Sequence, residues 1–118
     1  MKKLLIGLAV FVLFVVACSN NVGTTLKSFS SLSDLQAWLD KDQTDKQPYS
    51  DSFSCYEFAL TLQQNAAEDG YLINLEFIIM SNIDGQAGGH VMNVAVIDDR
   101  VYFIEPQTDD IYPMGLVG

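Results

Sequence analysis

Residues 54–70 read SCYEFALTLQQNAAEDG. Ser54 followed three residues later by Glu57 fits the S-x-x-E capping box, with Ser54 as N-cap and Cys55 as the first helical residue. Phe58, Ala59, Leu62 and Ala66 recur at helical spacing and form one apolar face. Gly70 falls where a left-handed residue closes a helix. The spacing predicts a helix over about 55–68, which is about 21 Å long at 1.5 Å per residue.

Outward from that helix the pattern changes on both sides. Tyr71 to Met80 is rich in Ile, Leu, Phe and Tyr and reads as a strand. Ser81 to Gly89 reads as a loop, with Asp84-Gly85 and Gly88-Gly89 as turn signals. His90 to Ile97 and Val101 to Glu105 read as two strands of a hairpin around Asp98-Asp99-Arg100, although no Gly or Asn occupies the turn. Ile111 to Leu116 reads as a short edge strand, because Pro113 is tolerated only at an edge. On the N-terminal side, Ser31 and Asp34 approximate a capping box, with Asp in place of Glu. Leu32, Leu35, Trp38 and Leu39 then share a stripe, predicting a helix that ends near Asp40. Residues 40–51 form a polar loop containing Pro48. The order helix, helix, antiparallel strands predicts an α+β fold, with N-terminal helices packed on a small antiparallel sheet. Trp38 and the aromatic residues around 53–58 are expected in the core.

The chain has 118 residues, enough for one domain at most. Its first residues have the layout of an export signal. Met1-Lys2-Lys3 is basic, Leu4 to Val16 is apolar, and Ala17 precedes Cys18. The apolar stretch is short against the roughly 20 residues of a membrane span. Val15-Val16-Ala17-Cys18 resembles the bacterial lipobox, in which the cysteine is lipidated and becomes the new N-terminus. The expected organisation is a lipoprotein signal peptide over 1–17, a lipidated N-terminus and tether over 18–30, and a domain over 31–118. The protein is then exported and held on a cell membrane by acyl chains on Cys18, since stable anchoring takes more than one chain.

Charge narrows the partners. Six Lys and Arg face fifteen Asp and Glu, a net charge of −9, and loss of Lys2 and Lys3 makes the mature chain more acidic still. Nucleic acid is excluded as a partner on that balance, because binding it requires positive charge. The two cysteines of an exported chain ordinarily suggest a disulfide. With Cys18 carrying lipid, Cys55 has no intramolecular partner. It is then buried and inert, paired between molecules, or reactive.

Cys55 at the first helical position lies near unpaired backbone N–H groups and the positive end of the helix dipole, which stabilise an anion. The same N–H groups could hold an oxyanion. His90, the only histidine, is the one candidate base. A carboxylate would orient its imidazole, and Glu105 and Asp109 both qualify. A two-residue turn at Asp99-Arg100 sets His90 opposite Asp109, whereas a bulge or wider loop favours Glu105. The same Cys55, His90 and Glu105 could in principle hold zinc with a water, yet they lack any compact C-x-x-C or H-E-x-x-H spacing. The sequence calls for neither metal nor cofactor. Asp109-Asp110 reads as a solvated acidic loop.

These residues resemble those of transglutaminase-like domains in the papain-like cysteine peptidase superfamily. His90-Val91-Met92-Asn93, strand, Asp98-Asp99, strand, Glu105-Pro106 is similar to that family's H-A-W-N, strand, tight turn, strand, D-P. Cys55-Tyr56-Glu57-Phe58-Ala59, with Leu62, Ala66 and Gly70, is similar to the surroundings of its nucleophile. The likeness covers about residues 49–112. Three positions depart from it, with Glu105 for aspartate, Met92 for tryptophan and Asp99 for the turn glycine. The resemblance implies a minimal transglutaminase-like core and a Cys55-His90-Glu105 triad for acyl transfer on a peptide, protein or amide substrate. It also implies oxyanion or orienting support from Gln47, Tyr49 or Asn93, with Asn93 bonded to the hairpin near His90. The alternative is a noncatalytic lipoprotein binding module that retains this scaffold. In either case the groove of so small a domain is short, or is completed by a partner protein.

Overall fold

A computed structural model describes residues 25–117. The expected signal peptide, Cys18 and the start of the expected tether lie outside the described residues. Two α-helices come first, α1 (Leu32–Lys41) and α2 (Cys55–Glu68), with a 3-10 turn at Thr44–Lys46 between them. Four strands follow, β1 (Asn74–Ser81), β2 (Ala87–Ile97), β3 (Arg100–Glu105) and β4 (Asp110–Leu116). They pair antiparallel in the order β1-β2-β3-β4. The result is a small α+β domain with its helices against one face of a four-stranded antiparallel sheet. Among the described residues, no helix is long and apolar enough to cross a membrane.

The caps of α2 form as the sequence predicts. The Glu57 carboxylate accepts from the Ser54 N–H at 2.9 Å and from the Ser54 hydroxyl at 2.6 Å. These bonds, led by the hydroxyl, hold the Glu57 carboxyl below its ordinary range. At the other end Gly70 takes φ +87°. Its N–H donates to the Ala67 carbonyl and that of Tyr71 to the Ala66 carbonyl, closing the helix in a Schellman motif. In α1 the box is only half made. The Ser31 hydroxyl accepts from the Asp34 N–H, but Asp34, one methylene shorter than Glu, meets the Ser30 hydroxyl instead of returning a bond to Ser31.

The core lies between the helices and the sheet. Leu35 and Leu39 of α1, Leu62 and Ala66 of α2, and Ala95, Ile97 and Ile104 of the sheet are buried together with Phe29 and Ile73. Trp38 packs against this cluster, and its indole N–H donates to Asp69 at 2.8 Å, tying α1 to the end of α2. Asn65 of α2 donates to Asp42 and to Thr44, fixing the interhelical loop.

The tether reading of 18–30 does not hold at its C-terminal end. Lys27 bridges Tyr71, and Phe29 is buried with its ring stacked on Tyr71 at 4.0 Å. The domain therefore begins before Ser31, because the aromatic body of Phe29 outweighs its Ser/Thr-rich neighbours.

The first hairpin also differs from expectation. The predicted loop over 81–89 contracts to 82–86, as Ser81 pairs with Ala87. Asn82 makes the turn, its side-chain oxygen accepting from the Asp84 and Gln86 N–H groups. Gly88 and Gly89 are strand residues, and His90 is the fourth residue of β2 rather than its first. Gly89 marks a close approach, since a Cβ there would lie 2.6 Å from the Phe77 ring. The second hairpin turns on Asp98-Asp99, both at positive φ, with Ile97 opposite Arg100. This is the primed two-residue turn that matches strand twist, built here from two aspartates. β4 is an edge strand with Pro113 opposite Tyr102 and a register shift there.

Candidate functional site

Side chains of β2 alternate between the two faces of the sheet. Asn93, Ala95 and Ile97 point to the helices, as the bond from the Asn93 amide to the Ala59 carbonyl of α2 at 2.9 Å makes plain. His90, an odd number of residues from Asn93, points to the outer face.

Glu105 meets His90 there. With Asn93 opposite Ile104, the next step of the ladder sets Glu105 against Met92 and diagonal to His90. His90 Nε2 lies 2.5 Å from Glu105 Oε2. The other Glu105 oxygen accepts from the Gln107 N–H at 3.2 Å. Both side chains are largely buried, 22% and 16% exposed. The choice between Glu105 and Asp109 follows from the turn. A turn at Asp98-Asp99 rather than Asp99-Arg100 shifts the register by two residues, moving Asp109 away from His90 and Glu105 towards it.

Asp109 sits in the β3–β4 turn at φ +64°, its N–H donating to the Glu105 carbonyl at 2.8 Å. Its side chain lines a separate cleft with Asp40, Asp45 and Lys46. One carboxylate oxygen of Asp109 and one of Asp45 are buried there without a hydrogen-bond partner. Burial first, then the charges of Asp45, Asp42 and Asp40, push the Asp109 carboxyl up to about 7, against a smaller downward pull from Lys46. The reading of Asp109 as a solvated loop residue is therefore corrected, because the turn folds its side chain towards the helical layer.

Cys55 is a free, half-buried thiol at the start of α2. It shares the sheet-facing stripe of that helix with Ala59, Leu62 and Ala66, all buried. Among the described residues its sulfur makes no hydrogen bond to His90 or Glu105. Asn93 does not bond the hairpin near His90, because alternation turns it to α2, where its Oδ1 is left without a partner. Gln47 is exposed and its N–H closes the 3-10 turn on the Thr44 carbonyl. Tyr49 is exposed and stacks over Phe58. The structure thus joins His90 to Glu105, and among the described residues neither is hydrogen-bonded to the side chain of Cys55, Gln47, Tyr49 or Asn93. No group of three or more His, Cys, Asp or Glu among the described residues is placed to hold a metal ion.

The outer face also carries a groove that sequence reasoning missed. Ile78, Met92, Phe103, Tyr112 and Met114 line it with His90 and Glu105, around a space of about 610 Å³. That is the size of a small-molecule site. Its signal was present in the strands, where the outward positions Ile78, Met80, Met92, Val94 and Phe103 are apolar although a solvated face favours polar residues there. Compared with known proteins, the chain matches no protein-family profile and no curated protein.

Proposed function

We propose that the domain is a noncatalytic binding module of an exported protein anchored through lipid on Cys18, and that the outer groove is its working surface. One observation carries this reading. His90 and Glu105 point to the outer face of the sheet, while Cys55 opens a helix packed on the other. The groove suits a ligand with an apolar body and a polar head, the body on Phe103, Tyr112 and the methionines, the head at His90 and Glu105. Methionine thioethers adapt to varied shapes, which favours a class of ligands over a single one. Titration of the full chain with N-phenylnaphthylamine, a neutral apolar fluorophore, tests the reading. Saturable binding that survives Cys55→Ala and weakens at least tenfold in Phe103→Ser is expected. Binding that Phe103→Ser leaves unchanged would overturn it.

Cysteine-dependent acyl transfer is the second reading, favoured by the free thiol at the capped start of α2. Here the chain is a minimal transglutaminase-like domain. His90, steadied by Glu105, takes the Cys55 proton, and the thiolate attacks an amide or ester carbonyl of a peptide or protein. Water or an amine then resolves the thioester. This route needs His90 on the helix side of β2. A one-residue slip of the strand achieves that, but carries Ala95 and Ile97 out of the core and breaks the Asn93 bond to Ala59. Iodoacetamide labelling of Cys55 from pH 4 to pH 9 separates the readings. The binding module gives the same rate profile with and without His90→Ala, whereas acyl transfer gives a profile that His90→Ala shifts.

A further inference from the structure

The two edges of the sheet are built differently. β4 carries Pro113, a register shift beside it, and Gly115 at φ +130°, devices that block strand addition. β1 has none of these. Its eight residues, NLEFIIMS, include no proline and one charge, Glu76, and pair with β2 in unbroken register. Phe77 is 66% exposed and Ile79 74% on the helix side, and Met80 is 55% exposed on the outer side. Among the described residues, the backbone N–H and C=O groups along its free edge have no partner strand.

We propose that β1 pairs antiparallel with β1 of a second copy of this chain, about a two-fold axis through Ile78, to form one continuous eight-stranded sheet. A two-fold axis perpendicular to the sheet keeps like faces together, so each residue must meet one of the same parity. Centring on Ile78 sets Phe77 opposite Ile79 of the second copy, an aromatic against a β-branched residue, which is a favourable cross-strand pair. It sets Glu76 opposite Met80. The two Glu76 carboxylates are then four residues apart, about 13 Å along the strand at 3.3 Å per residue, beyond the Debye length of about 8 Å at physiological salt. Centring on Phe77 would halve that separation, which matters between two chains of net charge −9. The pairing also completes the groove, because Ile78 and Met80 form its β1 wall. The second copy extends that wall with its own Ile78 and Met80, so the two grooves meet across the axis. This holds whatever the groove binds.

Disulfide trapping in the purified full chain, in detergent, tests both pairing and register. Ile78→Cys is expected to give a covalent dimer on oxidation, well above the level of the unsubstituted chain with its Cys18 and Cys55. Glu76→Cys alone is expected to stay at that level, while Glu76→Cys mixed with Met80→Cys crosslinks. Ile79→Lys, on an exposed side chain, should remain folded by circular dichroism and halve the mass measured by light scattering. Failure of Ile78→Cys to crosslink, or equal crosslinking of Glu76→Cys with itself, would overturn the proposal. So would a monomeric mass for the unsubstituted chain, which would leave the edge to a foreign strand.

Discussion

Two aspartates in left-handed conformation turn the β2–β3 hairpin, and they decide which acid reaches His90. Asp98 and Asp99 hold φ of 51° and 60°, a region that costs an L-residue about 1–2 kcal/mol and costs glycine little. Asp99→Gly should therefore stabilise the fold by about 0.5–1 kcal/mol in urea unfolding, without moving the register. Asp109 gives a pH signature. Its carboxyl is raised from 3.8 to about 7 in the folded state, so folding favours the protonated form. The associated stability is full below pH 3.8, declines as pH rises, and is gone above about 7. Asp109→Asn keeps a left-handed-tolerant residue and removes the charge. It should be the more stable protein at pH 8 and should flatten the fall in melting temperature between pH 5 and pH 8. The unpartnered oxygens of Asp45 and Asp109 give that fall its structural origin. Neither was legible beforehand, since burial of a loop aspartate depends on what packs over the turn.

At the scale of elements, legibility followed local chemistry. The α2 limits were readable because Ser54, Glu57 and Gly70 each satisfy orphan backbone groups within one turn of the helix. Glu57→Ala removes one capping partner and should lower the melting temperature in thermal unfolding. The lowered Glu57 carboxyl adds a sign to that result. Its contribution is present above the ordinary carboxylate range and is lost as pH falls through its folded value, so the difference between wild type and Glu57→Ala should narrow in acid. The strands were less legible. Gly88-Gly89 reads locally as a turn, yet the register of β1 against β2 makes both strand residues, and the Phe77 ring takes the space a side chain at Gly89 would need. Register is a nonlocal property, and it placed Asn93 on the helix side and His90 on the other. The candidate residues Cys55, His90 and Glu105 were visible in the sequence, as was the contact of His90 with an acid. The faces on which they stand were not, because a single step of register exchanges them.

Taken whole, the molecule divides its apolar side chains between two surfaces that do different work. The helix side of the sheet is covered by α1 and α2 across β2 and β3, with Leu62 and Ile104 fully buried, while Phe77 and Ile79 on the β1 edge stay exposed. The outer side is open, with Tyr112 47% exposed and Met114 59% exposed beside the groove. The covered side stabilises the fold, since burial contributes about 25 cal/mol per Å² of apolar surface and truncation also leaves a cavity. The open side contributes less of that, because Tyr112 and Met114 already meet water, although Met92 is buried there. The two should therefore respond oppositely to truncation. Leu62→Ala should cost about 2–5 kcal/mol in urea unfolding and leave the affinity for N-phenylnaphthylamine unchanged in whatever fraction stays folded. Tyr112→Ser with Met114→Ser should change stability by less than about 0.5 kcal/mol and weaken the probe several-fold. If the double variant instead unfolds the domain, the outer face is a second core surface. The groove would then be the seat of a missing structural layer rather than of a ligand.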